Sequence, residues 1–225
     1  MIKPARPKQE RGLERTQIVR TALELLDEVG YGGLTLRKLA AKLNVQAAAL
    51  YWHFKNKQDL IDAMAHDLMM AEYSKATPTF TSWQTLLTDI AHTNRRALMR
   101  YRDGAAVMSH ANMAQSDLMD GMEFVMTTLR AHGFSGPQAL LSFFTVIRYT
   151  IGCVVEEQSD PRHHSTKEER VAFLQRMGER HPVTSALFLE AGKAGLLVPE
   201  RRFDDGLQII MAGIEHQLDA SRKLS

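Results

Sequence analysis

The apolar residues of this 225-residue chain recur at every third or fourth position along almost its whole length. This spacing places them on one face of an α-helix, and no segment shows the convincing two-residue alternation of a half-buried strand. Helices of this kind bury their apolar stripes by packing on one another. The sequence therefore predicts an all-α fold. It also predicts one helix, at about 138–157, that is apolar on most sides and hence buried.

Charge and composition divide the chain into a basic arm and two helical domains. Residues 1–20 carry six lysines and arginines against two glutamates, and this excess favours contact with a polyanion. A solvated tail is the plain alternative. We expect a flexible basic arm at 1–14, a three-helix domain at 15–62, and a larger helical domain at 63–225, whose functions are inferred below. The stretch 75–82 has the Thr, Ser and Pro content of a linker.

The stretch TLRKLAAKLNVQAAALYWHFKNK, residues 35–57, has the form of a helix-turn-helix. Two short helical stripes are separated at Asn44 and Val45, and asparagine tolerates the left-handed backbone of a tight turn. The second helix consists mostly of alanine, which keeps it narrow enough to lie against base edges in the major groove. This stretch therefore predicts a DNA-reading helix.

The side chains around the second helix fit two interpretations. In the first, Gln46 reads a base edge while Tyr51, Trp52 and Lys57 contact sugars and phosphates. In the second, the two aromatic rings belong to the core and the lysine is simply solvated. Periodicity alone leaves both interpretations open.

The sequence gives little support to an enzyme, a membrane protein or a secreted protein. Its one cysteine, Cys153, excludes an intrachain disulfide and fits a reducing cytoplasm. No uninterrupted apolar run reaches the roughly 18 residues that span a bilayer, and the first residues lack the apolar core of a signal peptide. His163 and His164 lack the i, i+4 spacing of metal ligands on a helix, so catalysis there is a weak alternative. We expect a cytoplasmic protein with no cofactor, no metal and no membrane contact.

The segment ALELLDEVGYGGLTLRKLAAKLNVQAAALYWHFKNKQDL, residues 22–60, resembles the tetracycline-repressor (TetR) family of transcriptional regulators. Weaker similarity continues in YRDGA at 101–105 and GFS at 133–135. The resemblance implies an all-helical, Ω-shaped homodimer that binds DNA. The DNA contacts that it implies, together with Gln46, form the candidate set Leu36, Arg37, Gln46, Ala47, Ala48, Ala49, Tyr51, Trp52, His53 and Lys57.

The residues that align with the drug site of the tetracycline repressors differ from those of that subgroup. Met108 stands where the resemblance implies a magnesium-holding histidine, and Tyr73 replaces a second drug-contacting histidine. Ile90 and Asn94 replace an asparagine and a phenylalanine, whereas Glu156 keeps a carboxylate. Because a thioether is a poor ligand for magnesium, we do not expect recognition of a magnesium–tetracycline complex, and the sequence does not decide whether another metal accompanies the effector.

The domain behind residue 62 is rich in methionine, whose flexible side chain adapts to varied ligand shapes. We expect these methionines to line an apolar pocket for a small apolar or aromatic effector, although ordinary core packing explains any single one equally well. The candidate ligand-binding set is Tyr73, Ile90, Asn94, Met108, Met113, Met122, Phe143, Ile147 and Glu156.

Two helices, at about 138–157 and 203–221, are the expected dimer interface, doubled by symmetry into a four-helix bundle. Gly152 and Gly213 would allow close approach of the helices; the alternative is that the second stripe packs wholly within one subunit. The resulting prediction is a regulator, in the first place a repressor, that binds a pseudo-palindromic operator and is released by its effector. An efflux or resistance gene is a candidate target. An activator, or a regulator that is not released from DNA, is the alternative, and a ligand-binding protein that has lost DNA binding is a third.

Overall fold

The computed structural model describes residues 13–75, 80–112, 117–159 and 167–223. Within these ranges the chain forms eleven α-helices and no strand, so the predicted all-α fold is confirmed. The helices are α1 (Arg15–Gly33), α2 (Leu36–Lys42), α3 (Ala47–Leu50), α4 (Lys57–Tyr73), α5 (Trp83–Met99), α6 (Gly104–His110), α7 (Asp117–Ala131), α8 (Gly136–Ser159), α9 (Lys167–Arg180), α10 (Pro182–Lys193) and α11 (Pro199–Arg222). Residues 1–12, which make up most of the predicted basic arm, lie outside the described residues.

Helices α1–α3 form the helix-turn-helix domain. The N-cap residue of α2 is Thr35, whose side chain accepts a hydrogen bond from the backbone N–H of Lys38 at 3.2 Å. The turn before α3 contains Asn44 with φ 55°, the left-handed conformation expected there. Gly30, which the sequence suggests as the end of α1, instead bends the chain with φ 68° before a last turn that reaches Gly33.

Helix α4 belongs to both halves of the molecule. Its N-cap, Asn56, accepts the backbone N–H of Asp59 at 2.9 Å, so the helix starts directly after the helix-turn-helix. It packs against α1 on one side and against α5 and α6 on the other. Its buried residues therefore join a core that also contains residues of α1 and α6. The predicted domain boundary after residue 62 falls inside this helix.

Helices α5–α11 form the sensor domain, with α8 at its centre. A second core gathers around Trp83, Phe134 and Phe203, and the first two rings meet edge to face with centroids 5.2 Å apart. One face of α8 packs against α5, α6, α7 and α11. The prediction that α8 is buried on most sides is wrong for the single chain, because Leu141 is 58% exposed and Leu140 is 43% exposed on its open face.

Helix α8 is also the one described helix that is long and apolar enough to cross a membrane. The sequence analysis did not identify this helix as a possible membrane span because polar residues interrupt its apolar run. Length and composition are weak evidence here, because a core helix of a protein in water meets the same test. Its packing against four other helices of the domain is what a core helix requires.

Helices α9 and α10 form a hairpin that packs chiefly against itself. The Ser185 hydroxyl donates a hydrogen bond across the hairpin to the backbone carbonyl of Leu174 at 2.9 Å. Many of its apolar side chains face outward, among them Val183 at 72% exposure and Leu187 at 58%. The hairpin is thus an apolar surface that its own chain does not cover.

Candidate nucleic-acid interface and effector region

The short helix α3 is anchored by its last residue. Leu50 is completely buried, and its backbone carbonyl accepts the N–H of Phe54, which is also buried, at 2.9 Å. Ala48 and the N-cap residue Gln46 are both exposed. The side chain of Gln46 makes no capping hydrogen bond to the helix, so its amide remains available to a base edge.

The other two alanines of α3 are only partly accessible. Ala47 and Ala49 are half-buried, and Ala47 packs against the first core. A larger side chain at Ala47 would press against the helix-turn-helix core, whereas one at Ala48 would extend into solvent. The face that can meet DNA is therefore narrower than the full alanine run suggests.

The two aromatic residues after α3 are on the surface. Trp52 is 90% exposed and Tyr51 is 56% exposed, so the alternative that they belong to the core is wrong. Two adjacent exposed rings form a small apolar patch, and such patches are often contact sites for a partner. His53, beside them, is half-buried.

Exposed cationic side chains lie on the elements that precede and follow α3. Arg37 on α2 and Lys57 at the start of α4 are exposed, and Leu36 beside Arg37 is half-buried against the first core. The Lys57 Nζ lies 5.1 Å from the centroid of the Tyr31 ring, a cation–π contact that holds the lysine at the edge of the helix-turn-helix domain. The geometry gathers the candidate DNA-binding residues on α2, α3 and the start of α4.

In the sensor domain, the structure brings two of the candidate ligand-binding residues into direct contact. The Tyr73 hydroxyl donates a hydrogen bond to Asn94 Oδ1 at 2.8 Å. Burial raises the pKa of Tyr73, and the carboxylate of Asp89 acts in the same direction. The hydroxyl therefore stays protonated near neutral pH and remains a donor.

No hydrogen bond joins the remaining described candidates to this pair, and those that pack in or against a core are divided between the two cores. Met108 is buried in the first core, whereas Ile90, Phe143 and Ile147 pack in or against the second. Met122 is half-buried on α7. Met113 lies outside the described residues.

Glu156 is exposed, and one of its oxygens lies 3.8 Å from a guanidinium nitrogen of Arg202. The carboxylate that α8 buries is its neighbour Glu157, which sequence reasoning missed. A Glu157 oxygen lies 2.7 Å from Arg95, and the Nε of that arginine is buried without a hydrogen-bond partner among the described residues. The buried positions Thr150, Val154 and Glu157 follow one helical stripe, so spacing alone could have identified the glutamate.

Two of the clefts that described residues line are notable, and neither is the expected apolar pocket. One, of about 450 Å³, lies where α1, α4 and the end of α5 meet and is lined largely by polar side chains such as Arg20 and Asp67. The other, of about 410 Å³, is an open groove along α5. Neither includes Met108 or Phe143. Within the described residues no cluster of three or more His, Cys, Asp or Glu side chains could hold a metal ion.

Comparison with known proteins finds a family match for each half of the chain. Residues 18–64 match the family model for bacterial regulatory proteins of the tetR family, and residues 77–218 match the model for the tetracyclin repressor-like C-terminal domain. The chain is 36% identical over 210 residues to the class C tetracycline repressor protein of Escherichia coli, covering 90% of this chain and 91% of that protein.

Solved structures give the same picture. A TetR variant from Acinetobacter baumannii AYE, crystallised with minocycline, is 30% identical with a TM-score of 0.70 and covers 91% of this chain and 98% of that one. BioQ, crystallised with its natural double-stranded DNA operator, is 27% identical with a TM-score of 0.63 over 90% of this chain and 98% of that one.

Proposed function

This chain belongs to the TetR family of bacterial transcriptional regulators, and from that membership we propose that it binds a pseudo-palindromic operator as a homodimer in the cytoplasm. A small molecule that occupies the sensor domain then releases it from DNA. The observation that carries the proposal is the exposed set formed by Gln46, Ala48, Tyr51 and Trp52 beside cationic side chains.

The proposed chemistry of the DNA contact follows from which side chains are free. Lys57 and Arg37 neutralise phosphates, and the exposed rings pack on the sugars, so these contacts fix the position of α3 without reading sequence. Gln46 and the methyl group of Ala48 then meet base edges in the major groove. Gln and Thr of the tetracycline repressors are replaced here by Ala47 and Ala49, so the operator should differ from theirs.

The homodimer is supported by the apolar surface that one chain leaves open. The exposed side of α8 carries Leu141 and Val155, and Ile209 of α11 is 75% exposed. An added Cβ at Gly152 or Gly213 would meet no atom within 4 Å in the single chain, so these glycines are not required by packing within the subunit. A second copy placed on these helices would bury the exposed apolar side chains. The two glycines would then allow the helices of the two subunits to approach closely.

The effector proposal is narrower than the one suggested by the sequence. The Tyr73–Asn94 pair offers a neutral hydrogen-bonding group, and the buried thioether of Met108 does not favour magnesium. We therefore propose an uncharged, metal-free small molecule with aromatic or apolar character, and a resistance or efflux gene as the regulated target. Because α4 runs from Lys57 to Tyr73, it joins the DNA contact to this pair and is the proposed transmitter.

The test starts from the full chain and a library of random DNA duplexes. We expect selection to yield a palindromic site with half-sites about one helical turn, or a multiple of it, apart. Light scattering should give twice the chain mass of 25.4 kDa. A monomeric mass, or failure to enrich any duplex, would contradict the proposal.

Salt dependence separates phosphate neutralisation from other causes of weak binding. Replacing Lys57 with Ala should weaken binding to all duplexes and lower the slope of log K against log salt by about one for each phosphate that the lysine no longer neutralises. Lys75→Ala, which removes an exposed lysine near the other end of α4, is the matched control and should leave the slope unchanged.

A further inference from the structure

The turn between α5 and α6 holds the end of α1 through two reciprocal hydrogen bonds. The Asp103 carboxylate accepts the backbone N–H of Tyr31 at 2.8 Å, and the Asp27 carboxylate accepts the backbone N–H of Arg102 at 2.6 Å. Each segment thus supplies an aspartate to the backbone of the other, across more than 70 residues of sequence. Hydrogen bonds to a charged acceptor are stronger than those between neutral groups.

Both sides of this contact adopt backbone conformations that ordinary residues avoid. Asp103 has φ 56° and Gly30 has φ 68°, and both values lie in the left-handed region. A Cβ added at Gly30 would lie 2.8 Å from Asp103 Oδ2, so glycine is needed for the close approach as well as for the bend. Left-handed conformations at residues other than glycine persist only where surrounding contacts impose them, and they concentrate at functional positions.

The residue that Asp103 holds stands next to the DNA-reading elements. Tyr31 is four residues before Thr35, the N-cap of α2. Its ring stacks on His110 at the end of α6 with centroids 4.6 Å apart, and Lys57 lies over the same ring. A shift of Tyr31 would therefore move the start of the helix-turn-helix and the proposed phosphate-binding lysine together.

We propose that Asp103 is a positioning residue that fixes the orientation of the helix-turn-helix domain on the sensor domain. In the dimer this orientation sets the separation at which the two copies of α3 reach DNA. The inference rests on the proposed function, because separation has meaning only for a dimer on a two-part operator.

Two substitutions at Asp103 distinguish the contribution of its hydrogen-bond acceptor from that of its left-handed backbone conformation. Asp103→Gly keeps the left-handed conformation without strain and removes the acceptor, whereas Asp103→Asn tolerates the same conformation and keeps an acceptor oxygen. Gly30→Ala forces a Cβ against Asp103. Gly32→Ala is its matched control, because an added Cβ there meets nothing within 4 Å.

The first measurement is hydrogen exchange at the Tyr31 amide in the full chain. Asp103→Gly and Gly30→Ala should each speed exchange by about tenfold or more, while Asp103→Asn and Gly32→Ala should stay near the wild-type rate. Unchanged protection of Tyr31 in Asp103→Gly would overturn the inference, whether or not the chain binds DNA.

The second measurement compares the selected operator with versions that have one base pair added or removed between the half-sites. The wild type should discriminate against the altered spacings by about tenfold or more, and Asp103→Gly should reduce that ratio to about threefold or less. A variant that merely lost stability would bind all three duplexes more weakly by the same factor, and that result would overturn the positioning role. If the wild type selects no duplex, the proposed function fails, and the exchange experiment still decides whether Asp103 holds Tyr31.

Discussion

The helix-turn-helix domain and the sensor domain differ in how much of their surface a single chain completes. Among the described residues of the first, Tyr51 and Trp52 are the large apolar side chains that are mostly exposed, and the exposed Lys55 and Lys57 follow them in the chain. In the sensor domain, exposed apolar residues extend over α8, the α9–α10 hairpin and α11. The DNA-binding part thus covers most of its apolar residues within one chain, whereas the sensor part leaves apolar helix faces open, as the proposed dimer would require.

This difference also bears on the candidate effector residues. The Tyr73–Asn94 pair forms within one chain, but Glu156 faces away on an exposed side of α8. A site completed between two chains would appear incomplete in one. The comparison therefore predicts that substitutions on the open helix faces affect assembly, whereas substitutions at the exposed Ala48 of α3 affect only DNA binding.

The largest expected effect comes from Gly213→Leu on α11. In a monomer this change would stabilise the helix by roughly 0.7 kcal/mol, because glycine is a poor helix former and the space is open. In the proposed interface the same side chain blocks close approach. We expect the mass measured by light scattering to halve and operator affinity to fall by about 100-fold or more, since two linked binding events become one.

Gly121→Leu, on α7, is the control for that change, because an added Cβ there also meets nothing within 4 Å. It should leave mass and operator affinity as in the wild type. A Gly213→Leu chain that stays dimeric would place the interface elsewhere.

Trp52→Ala should have the next largest effect, and it should lower operator affinity without changing stability. With 90% of the side chain exposed, its removal should change the free energy of unfolding by no more than about 0.5 kcal/mol. Operator affinity should fall by about 10- to 100-fold because neither subunit can then pack this ring on the DNA backbone. Chemical denaturation and gel-shift titration measure the two quantities, and Phe124→Ala, which removes an exposed ring from α7, is the control.

Equal losses of stability and affinity in Trp52→Ala would mean that the Trp52 ring supports the fold.

The smallest expected effect is on the pH dependence of stability. It involves Glu72, near the end of the helix α4 that joins the helix-turn-helix domain to the sensor domain. A hydrogen bond from Lys75, with help from Arg100 and Arg96, holds the pKa of Glu72 below its ordinary value of 4.5. The ionised group therefore adds to stability above that value, and the contribution is lost as pH falls through the lowered pKa of the folded state. Glu72→Gln should make unfolding slightly less sensitive to pH in this acid range, by a small amount because the pairs are near the surface. A steeper acid transition in the variant would show that the sign is wrong.

The sequence contained enough to predict the helix-turn-helix because its signals are local. Thr35 as a cap, Asn44 in a left-handed turn and the alanine run each act within a few residues of their partners. The exposure of Trp52 was not predictable, because an aromatic residue at a helix end has the same pattern whether it faces core or solvent.

What the sequence could not supply depends on distant partners. The bond from Tyr31 to Asp103 joins positions 72 apart, and nothing in either segment indicates the other. The apolar composition of α8 indicates burial, but it does not say whether the cover comes from the same chain or from another. The resemblance implies Glu156 as the effector residue, and that assignment stays a prediction; the helical stripe shows only that Glu157 is the buried carboxylate of the two.

The continuity of α4 has a mechanical consequence. A straight helix of 17 residues is about 25 Å long, at about 1.5 Å per residue. If such a rod tilts about its Tyr73 end by about 5°, the far end at Lys57 sweeps through roughly 2 Å. A displacement of that size is enough to take a lysine out of hydrogen-bonding distance of a phosphate. A displacement of less than 1 Å at the Tyr73 end of α4 can thus be amplified along the helix until the contact between Lys57 and a phosphate is lost.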